Sequence, residues 1–194
     1  MSIAELDARS EVLPREFYER DTVQVSRDLL GKILVNGRVA GVIVETEAYL
    51  GGDDLASHSA RGITPRTKVI FGPAGHAYVY FIYGMYECLN LVAEPEGKPG
   101  CVLIRAIDPI CGLRAMFRRR PNARKAQDLA SGPGKLTIAM GITRAQNGCD
   151  VTRGSLVVRK WKQAPPVEIA VTPRIGITKC AGLPLRFVMV SEAK

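Results

Sequence analysis

The chain has 194 residues, enough for one domain that buries roughly two-thirds of the surface its unfolded form exposes. Hydrophobic residues make up 46% and charged residues 24%, a composition that excludes a disordered or collagen-like chain. No apolar run approaches the ~18 residues of a membrane span, and Glu5, Asp7 and Glu11 occupy the place of a basic leader, so no membrane partner and a cytoplasmic location, nucleoid-associated if bacterial, are expected. The net charge of +8 is unevenly spread: residues 1–60 carry 6 basic and 11 acidic side chains, and the remainder 21 and 8.

The elements follow in chain order. Residues 1–13 are expected to be a flexible lead-in. Asp21 is placed to cap a helix over 22–30, with Gly31 as its stop. Residues 32–35 and 38–49 read as a hairpin around Asn36-Gly37, a pair suited to a turn with positive φ. On the second strand Val42, Val44, Thr46 and Ala48 share one face, while Ile43, Glu45, Glu47 and Tyr49 share the other. Residues 50–76 show only single turns between glycines, and a connection beyond about 12–15 residues inside a compact domain points to function. Residues 77–92 read as two strand segments with Gly84 as a bend or bulge, and five of the six tyrosines fall between 49 and 86.

A strand over 101–107 leads to Asp108-Pro109, which predicts a helix over 110–120 carrying the arginines. Ser131-Gly132-Pro133-Gly134-Lys135 opens a short helix ending near Gly141, whose amides beside Lys135 suit a phosphate. Strands over 155–161, 167–172 and 185–190 complete the chain. The expected fold is a single α+β domain, residues 1–194, built on a curved, mainly antiparallel sheet in a partial barrel or roll with short flanking helices.

The five cysteines are odd in number and never spaced as Cys-x-x-Cys, and there are only two histidines. Neither a disulfide framework nor a metal or other cofactor is expected. Arg114, Arg118, Arg119, Arg120, Arg124 and Lys125 follow one another with no acid between Asp108 and Asp128, a density that attracts a polyanion, though a solvated basic helix end has the same composition. Glu45 and Glu47 could serve general-base chemistry or form a solvated acidic face. Asn90 in an apolar strand and His58 in a glycine-rich loop each read either as satisfied structural groups or as pocket walls. The tyrosines beside the basic run favour nucleic-acid contact by stacking and insertion.

Glu45-Thr46-Glu47-Ala48-Tyr49-Leu50-Gly51, Ser57-His58-Ser59, Thr64-Pro65-Arg66, the run from Tyr78 to Tyr86, Asn90, Val102-Leu103-Ile104-Arg105-Ala106, Gly132 to Leu136 and Pro173-Arg174-Ile175-Gly176-Ile177 stand in the order and spacing of a known family. Through them the chain resembles the alkyladenine (3-methyladenine) DNA glycosylase family over about residues 14–190. The resemblance implies a monofunctional glycosylase of base excision repair, acting as a monomer on damaged double-stranded DNA. Such an enzyme flips alkylated or deaminated purines (3-methyladenine, 7-methylguanine, hypoxanthine, ethenoadenine) out of the duplex and hydrolyses the N-glycosidic bond. It matches Glu47 to the general base, Tyr49, His58, Tyr80 and Asn90 to the base pocket, Tyr83 to the intercalating wedge, and Arg105 to a DNA contact. Lys135, beside the amides of its short helix, is a further DNA contact. The reading in competition is a basic nucleic-acid-binding protein without catalysis. No lysine is placed as a Schiff-base nucleophile, so strand cleavage by lyase chemistry is not expected.

Overall fold

The computed structural model describes residues 1–82 and 84–190. Among the described residues, nine antiparallel strands form one sheet with four short α-helices against it. Its main path runs β1 (Ser10–Val12), β7 (Leu156–Trp161), β2 (Ile33–Asn36), β3 (Val39–Leu50), β6 (Gly100–Cys111), β5 (Tyr86–Val92) and β4 (Ala77–Ile82). From β3 a branch leads to β9 (Arg186–Met189) and β8 (Ile169–Thr172). This is the α+β class expected from the sequence, with a sheet that is not closed into a barrel.

The sheet branches because β3 is long: its first residues pair with β2, and Glu45 to Glu47 pair with β9 instead, while β6 accompanies it throughout. The two long strands change face together. Ile43 pairs with Ile107 and Thr46 with Ile104, and all four are buried although three residues apart on each strand. An irregularity at Glu45 and Ala106 absorbs the odd step. Ile43 therefore joins the main core with Ala48 rather than sharing a face with Glu45 and Glu47, as simple alternation predicts. Beyond the irregularity, Glu45, Glu47 and Tyr49 are on the face away from that core.

Three other local readings shift. The hairpin closes on Gly37-Arg38, because Asn36 pairs with Val39. Gly37 takes φ +59°, as the first position of a tight turn requires. The Asn36 amide donates to the Met140 and Gly141 carbonyls at 3.0 and 3.3 Å, closing the end of helix α4 (Pro133–Met140). Asp108-Pro109 does not start a helix. Both lie in β6, opposite Val42 and Gly41, and the strand continues so that Cys111 can pack into a second core with Leu6, Ile33 and Ala40. Helix α3 (Leu113–Arg119) begins only after Gly112, at φ +73°. Residues 1–13, expected as a flexible lead-in, form a capped helix α1 (Ile3–Arg9) with Leu6 buried, then β1 against β7. Helix α2 (Thr22–Asp28) starts at Asp21, whose carboxylate accepts from the Val23 and Gln24 amides, a cap worth about 1 kcal/mol.

Candidate active site

The two strand segments expected around Gly84 are β4 and β5, which pair as an antiparallel hairpin reversing near that glycine (φ +66°). Three successive cross-strand pairs on one face, Tyr78 with Asn90, Tyr80 with Cys88 and Ile82 with Tyr86, line a cavity of about 680 Å³. Cys101, Leu103 and Arg105 extend the wall along β6, Tyr49 adds the end of β3, and Ile175 and Gly176 close one side. Arg120 and the start of α4 from Gly132 to Lys135 complete the lining. A side chain at Gly134 would meet the Tyr86 ring at 2.8 Å, so the helix can approach this wall only through a glycine.

The polar groups of the wall are held in place. His58 heads a 3-10 turn over His58–Arg61, with its Nδ1 2.9 Å from the Tyr78 hydroxyl and its ring edge-on to Tyr80 at 4.6 Å. Burial, reinforced by the Arg66 charge, pushes the imidazole down to about 4, so it is neutral at physiological pH. Asn90 is buried, its amide donating to the Tyr78 carbonyl at 3.3 Å. Burial raises the Tyr80 and Tyr49 hydroxyls well above the ordinary phenol range, in Tyr49 with help from Glu47.

Glu47 lies one layer beneath. Its Oε2 accepts from the Tyr49 hydroxyl at 2.9 Å and from Arg105 Nη1 at 3.3 Å, and its Oε1 from the Ile175 amide at 2.9 Å. All three partners line the cavity, but Glu47 is 0% exposed. Both readings of Glu47 offered by the sequence, a general base and a member of a solvated acidic face, suggest a carboxylate in reach of water. The structure gives one covered by its own hydrogen-bond donors, with three of about four acceptor positions filled. Arg105 also donates to Glu45 Oε1 at 2.7 Å, where Arg186 Nε converges at the same distance. Two guanidinium groups thus answer the two carboxylates and relieve the repulsion expected between them. Burial opposes the Arg105 charge, and Glu47 and Glu45 more than offset it. Arg105, expected as a DNA contact, lines the cavity with only 13% of its side chain exposed.

Tyr49, His58, Tyr80, Asn90, Arg105 and Lys135 all line this one cavity, with Glu47 under its floor. Tyr83, expected as the wedge, lies outside the described residues. The sequence reading assigned no role to Asp54, Arg174 or Ile175. Arg174 grips Asp54 through two bonds of 2.7 and 2.8 Å, donates to the Ala48 carbonyl, and stacks on Tyr49, 4.7 Å from the ring centre. Both side chains are almost wholly buried. The only signal was that Arg174 and Ile175 belong to a family-like segment. Their partners lie some 120 residues away, where no spacing rule connects them.

The site is thus an aromatic-walled cavity above a buried acid, with Arg120 and Lys135 in its lining, carried on an antiparallel sheet. The chain belongs to the methylpurine-DNA glycosylase family, whose family model matches residues 16–193. It is 57% identical over 172 residues to a protein of Methanocella arvoryzae, covering 86% of this chain and 84% of that one. It is 53% identical over 183 residues to one of Methanoculleus marisnigri, covering 91% and 94%. A protein of Koribacter versatilis is 48% identical over 187 residues, covering 93% and 90%. Each of the three bears the name "Putative 3-methyladenine DNA glycosylase". The molecule is thus a DNA glycosylase, a hydrolase of DNA repair, and among the described residues no helix is long and apolar enough to cross a membrane.

Proposed function

We propose that this cavity receives a damaged purine nucleotide flipped out of duplex DNA and that Glu47 is the general base for hydrolysis of its N-glycosidic bond. The observation that carries the reading is the convergence of Tyr49, His58, Tyr80 and Asn90 on one cavity whose floor consists of the groups bonded to Glu47. The bases are 3-methyladenine, 7-methylguanine, hypoxanthine and ethenoadenine. Extrusion costs a few kcal/mol, least for a base that is already badly paired. Tyr49 and Tyr80 supply stacking faces, His58 a neutral hydrogen-bonding wall, and Asn90, fixed by the Tyr78 carbonyl, an amide that clashes with the exocyclic amino group of guanine, so that 7-methylguanine, which keeps that group, is the least favoured of the four. Glu47 is covered in the free protein, so the attacking water reaches its remaining acceptor position only as the nucleotide seats and one of the covering donors, Tyr49, Arg105 or Ile175, gives way. Arg105 holds the carboxylate, Lys135 at the rim contacts the DNA backbone, and Tyr83 fills the gap left in the stack.

The test is excision from duplexes bearing single lesions, without added metal. The wild type is expected to release 3-methyladenine and hypoxanthine. Glu47→Gln is expected to bind the same duplexes with little change while losing about 10²–10⁴ in single-turnover rate, the usual contribution of a general base. Unchanged excision by Glu47→Gln would remove that residue from its role.

A further inference from the structure

Two of the four tyrosines that line the cavity, Tyr49 and Tyr80, are backed by a guanidinium. The Arg174 Cζ lies 4.7 Å from the centre of the Tyr49 ring and the Arg66 Cζ 5.2 Å from that of Tyr80. Both rings line the cavity and neither arginine does; Arg66 borders an adjoining recess that shares His58 with it. Each ring therefore borders both the cavity and an arginine, and a base that stacks on it must take the face that the arginine leaves free.

The two backings differ in charge. Arg174 is neutralised by the bidentate, buried Asp54. Arg66 is exposed and, among the described residues, pairs with no carboxylate. Its charge is nonetheless felt within the aromatic wall, at both His58 and Tyr78. N-alkylation of a purine nucleoside at N3 or N7 makes the ring cationic, whereas deamination or an etheno bridge leaves it neutral. A cation stacked on the inner face of Tyr80, at about 3.5 Å, stands about 9 Å from the Arg66 charge. At that distance in a largely aqueous dielectric, like charges lose about two- to fivefold in affinity. A guanidinium already on one face of a ring also draws on the quadrupole that would attract a cation to the other.

We propose that Arg66 is a specificity-determining residue: it weakens the hold of the Tyr80 wall on positively charged purines and so narrows their advantage over neutral lesions. The inference rests on the base-flipping reading above and names the charge of the lesion as the quantity that the site weighs.

The experiment compares two isosteric lesions that differ in charge alone, 3-methyladenine and its neutral analogue 3-methyl-3-deazaadenine, each on a 2′-fluoro sugar that slows hydrolysis. Affinities of the wild type, Arg66→Gln and Arg66→Lys are measured against both duplexes and an undamaged control. The ratio of cationic to neutral affinity is expected to rise about two- to fivefold in Arg66→Gln and to stay near the wild-type value in Arg66→Lys. Equal losses on both lesions, with the ratio unchanged, would mean that Arg66 serves the DNA backbone and would overturn the proposal. So would a Lys variant that behaves like the Gln variant. Failure of the base-flipping reading itself looks different: the wild type would then bind neither lesion better than the control.

Discussion

His58 shows how one side chain ties the cavity to stability. Its imidazole ordinarily titrates at 6.5 and is held down to about 4, first by burial and then by Arg66. Between those values the unfolded chain binds a proton that the folded one refuses, so the contribution of His58 is intact above about pH 6.5 and is lost as the pH falls towards 4. The protein is expected to lose thermal stability over that window, and His58→Gln to lose less. Melting temperatures of the two proteins between pH 4 and 7 check this, and parallel curves would contradict it. In the proposed reading the same neutrality matters for recognition, because a protonated imidazole 4.6 Å from Tyr80 would add a further positive charge to a lining that already holds Arg105, Arg120 and Lys135.

The loop around Ile175 and strand β3 are joined by the Arg174–Asp54 pair. Asp54 accepts from the Leu50 amide as well as from Arg174, and the next residue along, Ile175, donates to Glu47. Asp54→Asn would leave a buried guanidinium uncompensated, at a cost of about 3–5 kcal/mol. The double change Asp54→Leu/Arg174→Met removes both charges and is expected to unfold at a higher temperature than Asp54→Asn. It should still excise slowly, since nothing would then fix the Ile175 amide. Recovery of full excision by the double variant would show that the pair serves stability alone. Such long-range pairs are what sequence patterns miss. The alternation of β4 and β5 was legible, and so was the Asp21 cap, because both depend on neighbours within four residues. The face of Ile43 was not, because it depends on an irregularity that β3 shares with β6. Asp108-Pro109 misled for the same reason: a strong local helix signal yields when a strand must run on to bury Cys111. Glu47, Tyr49 and Asn90 could be picked out as residues, but the burial of Glu47 and the donors that cover it belong to the assembled sheet.

Across the molecule, the charge asymmetry of the sequence is reorganised by folding. Among the described residues, five of the eleven acids of the first sixty residues pair with cations of the rest: Asp7 with Arg159, Glu11 with Lys160, Glu45 with Arg105 and Arg186, Glu47 with Arg105, and Asp54 with Arg174. The arginine run then divides by what each side chain touches. Arg119 donates to the Ala139 carbonyl and packs its guanidinium under Gly141, closing the last turn of α4. Arg120 reaches the cavity rim. Arg118, Arg124 and Lys125 are exposed and, among the described residues, pair with no carboxylate. Charge at those three positions should act through the phosphate backbone and not through the base. Replacing all three with Gln is expected to reduce the slope of log affinity against log salt by up to about 2.7, at roughly 0.9 per phosphate contact. The preference for a lesion over undamaged duplex should survive, because neither duplex differs in its phosphates. Arg119→Gln should instead lower the melting temperature and leave the slope nearly unchanged. Titrations at several salt concentrations separate the two behaviours: a triple variant with an unaltered slope would place the DNA path elsewhere, and one with an altered lesion preference would bring these side chains into base reading.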